Sequence, residues 1–186
     1  MEWMRVKMMQ FVVHLIPLRR LYGVLSVGTL LLCSLNSCGV YRFSGASIPP
    51  EAVSLSIAQF DNRSLVVVPQ LSQILSDRMR DKFLAESRLR LQTADADLTF
   101  EGSIVDYAVA PAAVAAGETT SLSRLSIAVQ VRYTNRFRTA ENWEQRFVRY
   151  ADFDAGLDLR QVEDQLNQEI VRQLVDDIFN RAFVNW

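Results

Sequence analysis

The chain has 186 residues, 49% of them hydrophobic and 22% charged, and a formal net charge of −1. That balance excludes an intrinsically disordered chain and leaves no basic footprint for nucleic acid. The length suits one domain, but the N-terminus differs so much from the rest that it is read separately.

Residues 1–37 read as a targeting segment. Arg5, Lys7, Arg19 and Arg20 are basic, and Glu2 is the only acid among them. The apolar run from Leu21 to Leu32 follows. It is too short for a permanent span and fits the apolar region of a signal peptide. Next comes Leu35-Asn-Ser-Cys38-Gly39, with leucine three residues before a cysteine and a small residue directly before it, the pattern of a bacterial lipobox. Cys33, preceded by Leu32, fits poorly. The expected product is cut before Cys38, acylated there, tethered by residues 38–52 and folded as a single α/β domain over 53–186. A single acyl chain anchors only marginally, at about 0.8 kcal/mol per buried methylene, and a triacylated cysteine would supply three. The alternative is an ordinary anchor with a chance cysteine, which the short apolar run disfavours. Met8 and Met9 are alternative starts.

Pro49-Pro50 block a helix and push Ile48 toward extended geometry. Val53 to Phe60 alternates apolar and small polar residues, which predicts a half-buried strand. Asp61-Asn-Arg-Ser64 predicts a turn. A helix is expected from about Pro69, a residue suited to the first helical position, to about Ser87. Leu71, Ile74, Leu75, Met79 and Phe83 recur there at helical spacing. Arg88 to Gln92 predicts a short strand and Ala94 to Asp97 a turn. Leu98, Phe100 and Ile104 share one face of the next strand. Residues 108–120, rich in alanine, are expected to form a long connection. Leu125, Ile127, Val129, Val131 and Tyr133 give the clearest alternation in the chain. Thr139 to Asn142 predicts a hairpin turn, after which Trp143, Phe147, Ala151 and Phe153 line one face of the last strand. Asp158 with Gln161 resembles a capping box. It opens a helix striped by Val162, Leu166, Ile170, Leu174, Ile178 and Phe179. The expected fold is α+β: two helices packed on one face of a single, mostly four-stranded sheet, with the other face left to water or a partner.

Cutting before Cys38 removes four basic residues and one acid, leaving 149 residues with 16 basic and 20 acidic ones and a net charge of −4. His14 and Cys33 leave with the segment, and Cys38 is consumed by lipid. Without histidine or free cysteine, the common metal sites and the Ser–His and Cys–His nucleophile arrangements are out of reach. No glycine cluster cradles a phosphate, and no cofactor is expected. Asp152 and Asp154 are paired carboxylates beside a turn, where aspartate ordinarily bonds local backbone. Lys82, the one lysine left, lies on a charged helix face. The reading is therefore not an enzyme.

Two features point to binding. Arg124, Arg132, Arg136 and Arg146 share the parity opposite to the buried residues of the last two strands. An outward arginine group can grip phosphate bidentately, which makes these four the candidate contacts for an anionic lipid. Alternatively they form a solvated face, paired with Glu101 and Glu144. The Ala-rich stretch, with Ala112, Val114 and Ala115 at its centre, is either a partner contact or a passive connection.

Several segments, in order and spacing, resemble one family. They are Tyr41-Arg-Phe-Ser-Gly-Ala-Ser-Ile48, Pro69-Gln-Leu-Ser-Gln73, Asp97-Leu-Thr-Phe-Glu-Gly102, Arg149-Tyr-Ala-Asp-Phe-Asp154, Val162-Glu-Asp through Asp177-Ile-Phe-Asn180, and the terminal Trp186. Together they resemble the lipopolysaccharide-assembly lipoprotein LptE of Bacteroidetes-type bacteria, over nearly the whole mature chain. The resemblance implies two helices on a four-stranded sheet. It also implies lipid anchorage to the periplasmic side of the outer membrane, partnership with the β-barrel translocon LptD as its plug, and assistance to lipopolysaccharide insertion. Gly39 after the lipid cysteine resembles an outer-membrane sorting position. A pilotin-like secretin chaperone and an activator of cell-wall synthesis are the competing readings.

Overall fold

The computed structural model describes residues 48–112 and 121–184. The signal segment, Cys38 and the tether through residue 47 lie outside them. Six strands form one mixed sheet: β1 (Ser54–Ile57), β2 (Asp61–Asn62), β3 (Arg90–Leu91), β4 (Leu98–Pro111), β5 (Leu122–Asn135) and β6 (Trp143–Asp154). The spatial order is β3-β1-β4-β5-β6, and β2 joins β4 on the side that β1 occupies. β1 runs parallel to β3 and β4, whereas β4, β5 and β6 form an antiparallel meander. The expected count of four is exceeded because two two-residue segments also pair: β3, within the short strand expected over Arg88 to Gln92, and β2, which corrects the turn expected at Asp61 to Ser64, since two residues are too few to show a periodicity.

Both helices lie against one face. α1 (Leu71–Glu86) packs on β1, β2 and β3, while α2 (Leu159–Phe183) packs on β5, β6 and α1. The stripes anticipated from spacing are the buried ones. Leu71, Leu75, Met79 and Phe83 are buried on α1, as are Leu166, Ile170, Leu174, Ile178 and Phe179 on α2. Ile74 and Val162 are only partly buried against this core. Asp158 caps α2 by accepting a hydrogen bond from the Arg160 N–H at 3.1 Å. That leaves the first turn one fewer unpaired donor. Phe83 sits where the layers meet, with ring centroids at 4.8 Å from Phe100 and 5.2 Å from Phe179. Lys82 ties the helices together from outside through Glu86 and, across the gap, Asp176 at 2.9 Å.

The expected connection after the fourth strand is also corrected. The connection predicted to begin at Ala108 is strand through Pro111, with Ala108 opposite Ser126 and Pro111 opposite Ser123. A register shift between Ile104 and Asp106 realigns β4 so that it can continue, the usual effect of an extra residue on one strand. Alternating alanine with valine gives no hydrophobic contrast, so nothing local announces this half of the strand.

The start of the domain is clamped by one carboxylate. Asp97 Oδ2 accepts hydrogen bonds from the Val53 N–H at 2.9 Å, the Ser54 N–H at 3.0 Å and the Ser54 hydroxyl at 2.8 Å. The Asp97 N–H donates back to Ser54 Oγ. β1 is thereby fixed to the foot of β4 next to the point where the chain enters. The bond from Val53, followed by that from the Ser54 hydroxyl, holds the Asp97 carboxyl below its ordinary 3.8. A depressed folded-state value means that this stabilisation is complete above the unfolded pKa and is lost as pH falls through the folded one. Asp97→Ala is expected to cost about 2 kcal/mol at neutral pH, from charge-assisted bonds lost and donors stranded. Urea titrations at neutral and strongly acid pH check this, with the gap between wild type and variant closing below the ordinary carboxylate range.

Candidate functional site

The face of the sheet away from the helices carries the polar positions of the three long strands. Because side chains alternate, the buried Leu125, Ile127, Val129, Val131 and Tyr133 leave Arg124, Ser126, Gln130 and Arg132 on the opposite side. Pairing then sets partners. Arg124 stands opposite Asp152, Gln130 opposite Arg146 and Arg132 opposite Glu144. Arg124 grips Asp152 bidentately at 2.7 and 2.8 Å, and its guanidinium lies 3.7 Å over the Tyr150 ring. Arg132 donates to Glu144 Oε2 at 3.1 and 3.0 Å, and Gln130 donates to the other oxygen at 3.2 Å. Arg146 reaches across to Asp106 at 3.6 Å.

The structure brings Arg132 and Arg146 together on neighbouring rungs. Arg124 lies eight residues up the strand, about 27 Å away at the rise of an extended chain. Arg136 lies past the end of β5, where its N–H donates to the Asp97 carbonyl. The four do not converge on one point. The hydrogen bond from Arg132 holds the Glu144 carboxyl below its usual range, and that from Arg124 does the same for Asp152. Exposed pairs of this kind contribute little stability, and they leave the guanidinium edges open to compete for another anion. Glu101 faces Arg132 across β4 and β5.

Asp152, held low by Arg124, is the opposite of a general acid poised near neutral pH. Asp154 accepts a hydrogen bond from the Gly156 N–H at 2.8 Å, ordinary turn chemistry. Of the alanine stretch, Ala112 is buried and donates its N–H to the Leu122 carbonyl, closing the visible end of the β4–β5 hairpin. Val114 and Ala115 lie outside the described residues.

Sequence reasoning missed an apolar surface and several joints. The loop after β2 exposes Leu65, Val66 and Val67 in succession. It is anchored by the Ser64 N–H and hydroxyl on Asn62 Oδ1. Arg149, on the helix side of β6, pairs bidentately with Asp177 of α2, one of the two bonds being 2.7 Å. The Tyr107 hydroxyl donates to Glu163 of α2 at 2.7 Å, and burial pushes its pKa upward. The run of Leu65, Val66, Val67 and Val68 was a readable signal for the loop. The ion pairs had none, because their partners lie tens of residues away.

Residues 52–182 match the family model described as "LptE: Lipopolysaccharide-assembly". The chain belongs to this family. The match covers all six strands and both helices up to residue 182, so the LptE-family segments within it can be placed. Asp97 is the clamp on β1, Gly102 underlies the Phe60 ring, and Arg149 and Asp177 bind β6 to α2. Among solved structures, the fold resembles a neuraminyllactose-binding hemagglutinin homolog from Helicobacter pylori, with TM-score 0.50 at 10% identity, covering 75% of this chain and 88% of that one. A hypothetical protein from Chlamydia trachomatis gives TM-score 0.48 at 11% identity over 72% of this chain and 99% of that one. A minor lipoprotein from Acinetobacter baumannii gives 0.46 at 11% over 69% and 90%. These similarities concern the fold alone. No curated protein matches the chain.

Proposed function

We propose that this LptE-family chain is a non-enzymatic lipoprotein of the outer membrane, anchored through an acylated Cys38 on the periplasmic side, that seats in the LptD barrel and assists lipopolysaccharide insertion. The match to the lipopolysaccharide-assembly family over residues 52–182 carries this reading. Among the described residues no helix is long and apolar enough to cross a membrane, which suits attachment by lipid. Arg132 and Arg146, adjacent and only partly neutralised, are the positions proposed to meet a lipopolysaccharide phosphate. Arg124 and Arg136 are separate, weaker positions, and the alanine stretch is proposed to face the barrel through Val114 and Ala115, with the buried Ala112 holding its base.

One preparation tests these parts together. The native protein is solubilised in detergent and pulled down, and what is retained is identified by mass spectrometry. A large barrel near one-to-one, with an acylated Cys38 in the mature chain, is the expected result. Arg132→Ala with Arg146→Ala should keep the barrel and lose bound lipopolysaccharide. A secretin or a peptidoglycan synthase in place of the barrel would overturn the translocon reading and favour the pilotin-like or activator alternative.

A further inference from the structure

The foot of the sheet, where the chain enters the domain, carries cations and apolar side chains together. Asp97 gathers them. Its carboxylate accepts the Val53 N–H, and its backbone carbonyl accepts the Arg136 N–H at 2.9 Å. The Val53 carbonyl in turn accepts the Arg90 N–H at 2.9 Å. Arg90 and Arg136 therefore stand on either side of the entering chain. Both are exposed, and among the described residues neither guanidinium forms an ion pair. Val53 between them is 65% exposed. Next to Arg136 comes the tip of the β5–β6 hairpin, which Arg138 ties to the entry through Glu51 at 3.8 Å. The tip is held from within. Buried Asn135 accepts the Phe137 and Arg138 N–H groups on Oδ1, both at 3.0 Å, and donates its amide to Glu141 at 3.1 Å. Phe137 is 49% exposed on this fixed support. Of the acids nearby, Asp97, Glu51 and Glu141 are engaged in these bonds, and Asp95 is exposed in the turn before β4.

Where the chain leaves the domain argues for what covers this patch. Ile48 packs against the core, so the tether departs from the same foot. The ten steps from Cys38 to Ile48 reach at most about 35 Å. We propose that Phe137 and Val53 enter the headgroup region of the phospholipid leaflet that holds the Cys38 acyl chains, with Arg90 and Arg136 on anionic lipid phosphates. Acyl chains attach a domain without orienting it, and apolar side chains beside arginines at an anionic surface supply the orientation. This gives Arg136 a role apart from Arg132 and Arg146. The alanine stretch and the Leu65 loop lie toward the other end of β4, so the contact leaves the part proposed for the barrel free. The inference rests on acylation of Cys38.

Fluorescence quenching on the full acylated chain tests it. With Cys38 acylated the mature chain has no other thiol, so Phe137→Cys and Leu65→Cys each take a single bimane label. The labelled proteins are reconstituted in vesicles of phosphatidylethanolamine and phosphatidylglycerol that include a lipid spin-labelled high on its acyl chain. The label at 137 is expected to be quenched several-fold more than that at 65. Adding Arg90→Glu and Arg136→Glu should bring it down to the level at 65, with the thermal midpoint near wild type because neither side chain bonds within the domain. Replacing phosphatidylglycerol by phosphatidylcholine should lower it with no change to the arginines. Equal quenching at the two sites, or quenching at 137 indifferent to both charge reversal and lipid charge, would overturn the proposal. Flotation with the vesicles and the mass of Cys38 are read in parallel. A chain that fails to float and carries an unmodified Cys38 overturns the anchorage reading as well.

Discussion

Gly102→Ala is expected to leave little folded protein. Gly102 lies on the helix-facing side of β4 between Phe100 and Ile104, with the Phe60 ring laid over it. A Cβ built there meets the Gln130 carbonyl oxygen of β5 and comes within 2.5 Å of the Phe60 ring. The ring could turn aside at a cost. The carbonyl belongs to the central β4–β5 ladder and cannot move without opening it. Overpacking of side chains alone costs about 1–3 kcal/mol. A backbone clash in the middle of the sheet is expected at the top of that range or above, a large share of the roughly 5–15 kcal/mol that holds a domain. The denaturant midpoint should fall sharply with the slope unchanged. Adding Phe60→Leu should recover only part of the loss, because the carbonyl remains. Full recovery would place the conflict in the ring and refute the backbone argument.

The second large effect is expected at Phe83. It is fully buried, and its ring meets Phe100, Phe179 and Phe183 edge-on, with centroids 4.8, 5.2 and 5.5 Å away. It therefore holds α1 to the sheet and to α2 at once. Phe83→Ala should cost about 3–5 kcal/mol, the loss of transferred area plus the cavity left behind. Phe83→Leu, nearer in volume, should cost about 1.5 kcal/mol. Urea titrations of the three proteins check the order and the ratio. Equal losses for the two variants would mean that the edge-on ring geometry, worth about 0.5–1.5 kcal/mol per pair, outweighs volume at this joint.

The family segments read in the sequence acquire physical roles in the fold, and most of these are architectural. Asp97 and Gly102 bracket the foot of β4, one binding β1 by hydrogen bonds and the other making room for Phe60. Arg149 and Asp177 join β6 to α2 at the edge of the core. Of the arginines nominated from parity, Arg124, Arg132 and Arg146 lie on β5 and β6 opposite the buried positions, and Arg136 lies past the end of β5. What parity could not say is that Arg124 and Arg132 each meet an acid on the neighbouring strand and Arg146 one on β4, two strands away, or that they spread along the face instead of gathering.

The sequence by itself determined the two helices, their buried stripes and the faces of β4, β5 and β6, since burial of one side imposes a period of 3.6 or 2 on the residues themselves. Only the tertiary structure decided that β4 runs on to Pro111, that β1 and β2 share its lower edge, and which acid each arginine meets. Those outcomes depend on cross-strand register and on contacts such as Ser54 with Asp97, 43 residues apart. A pattern within one segment records which side of a strand is buried, and it carries no information about which other strand lies alongside.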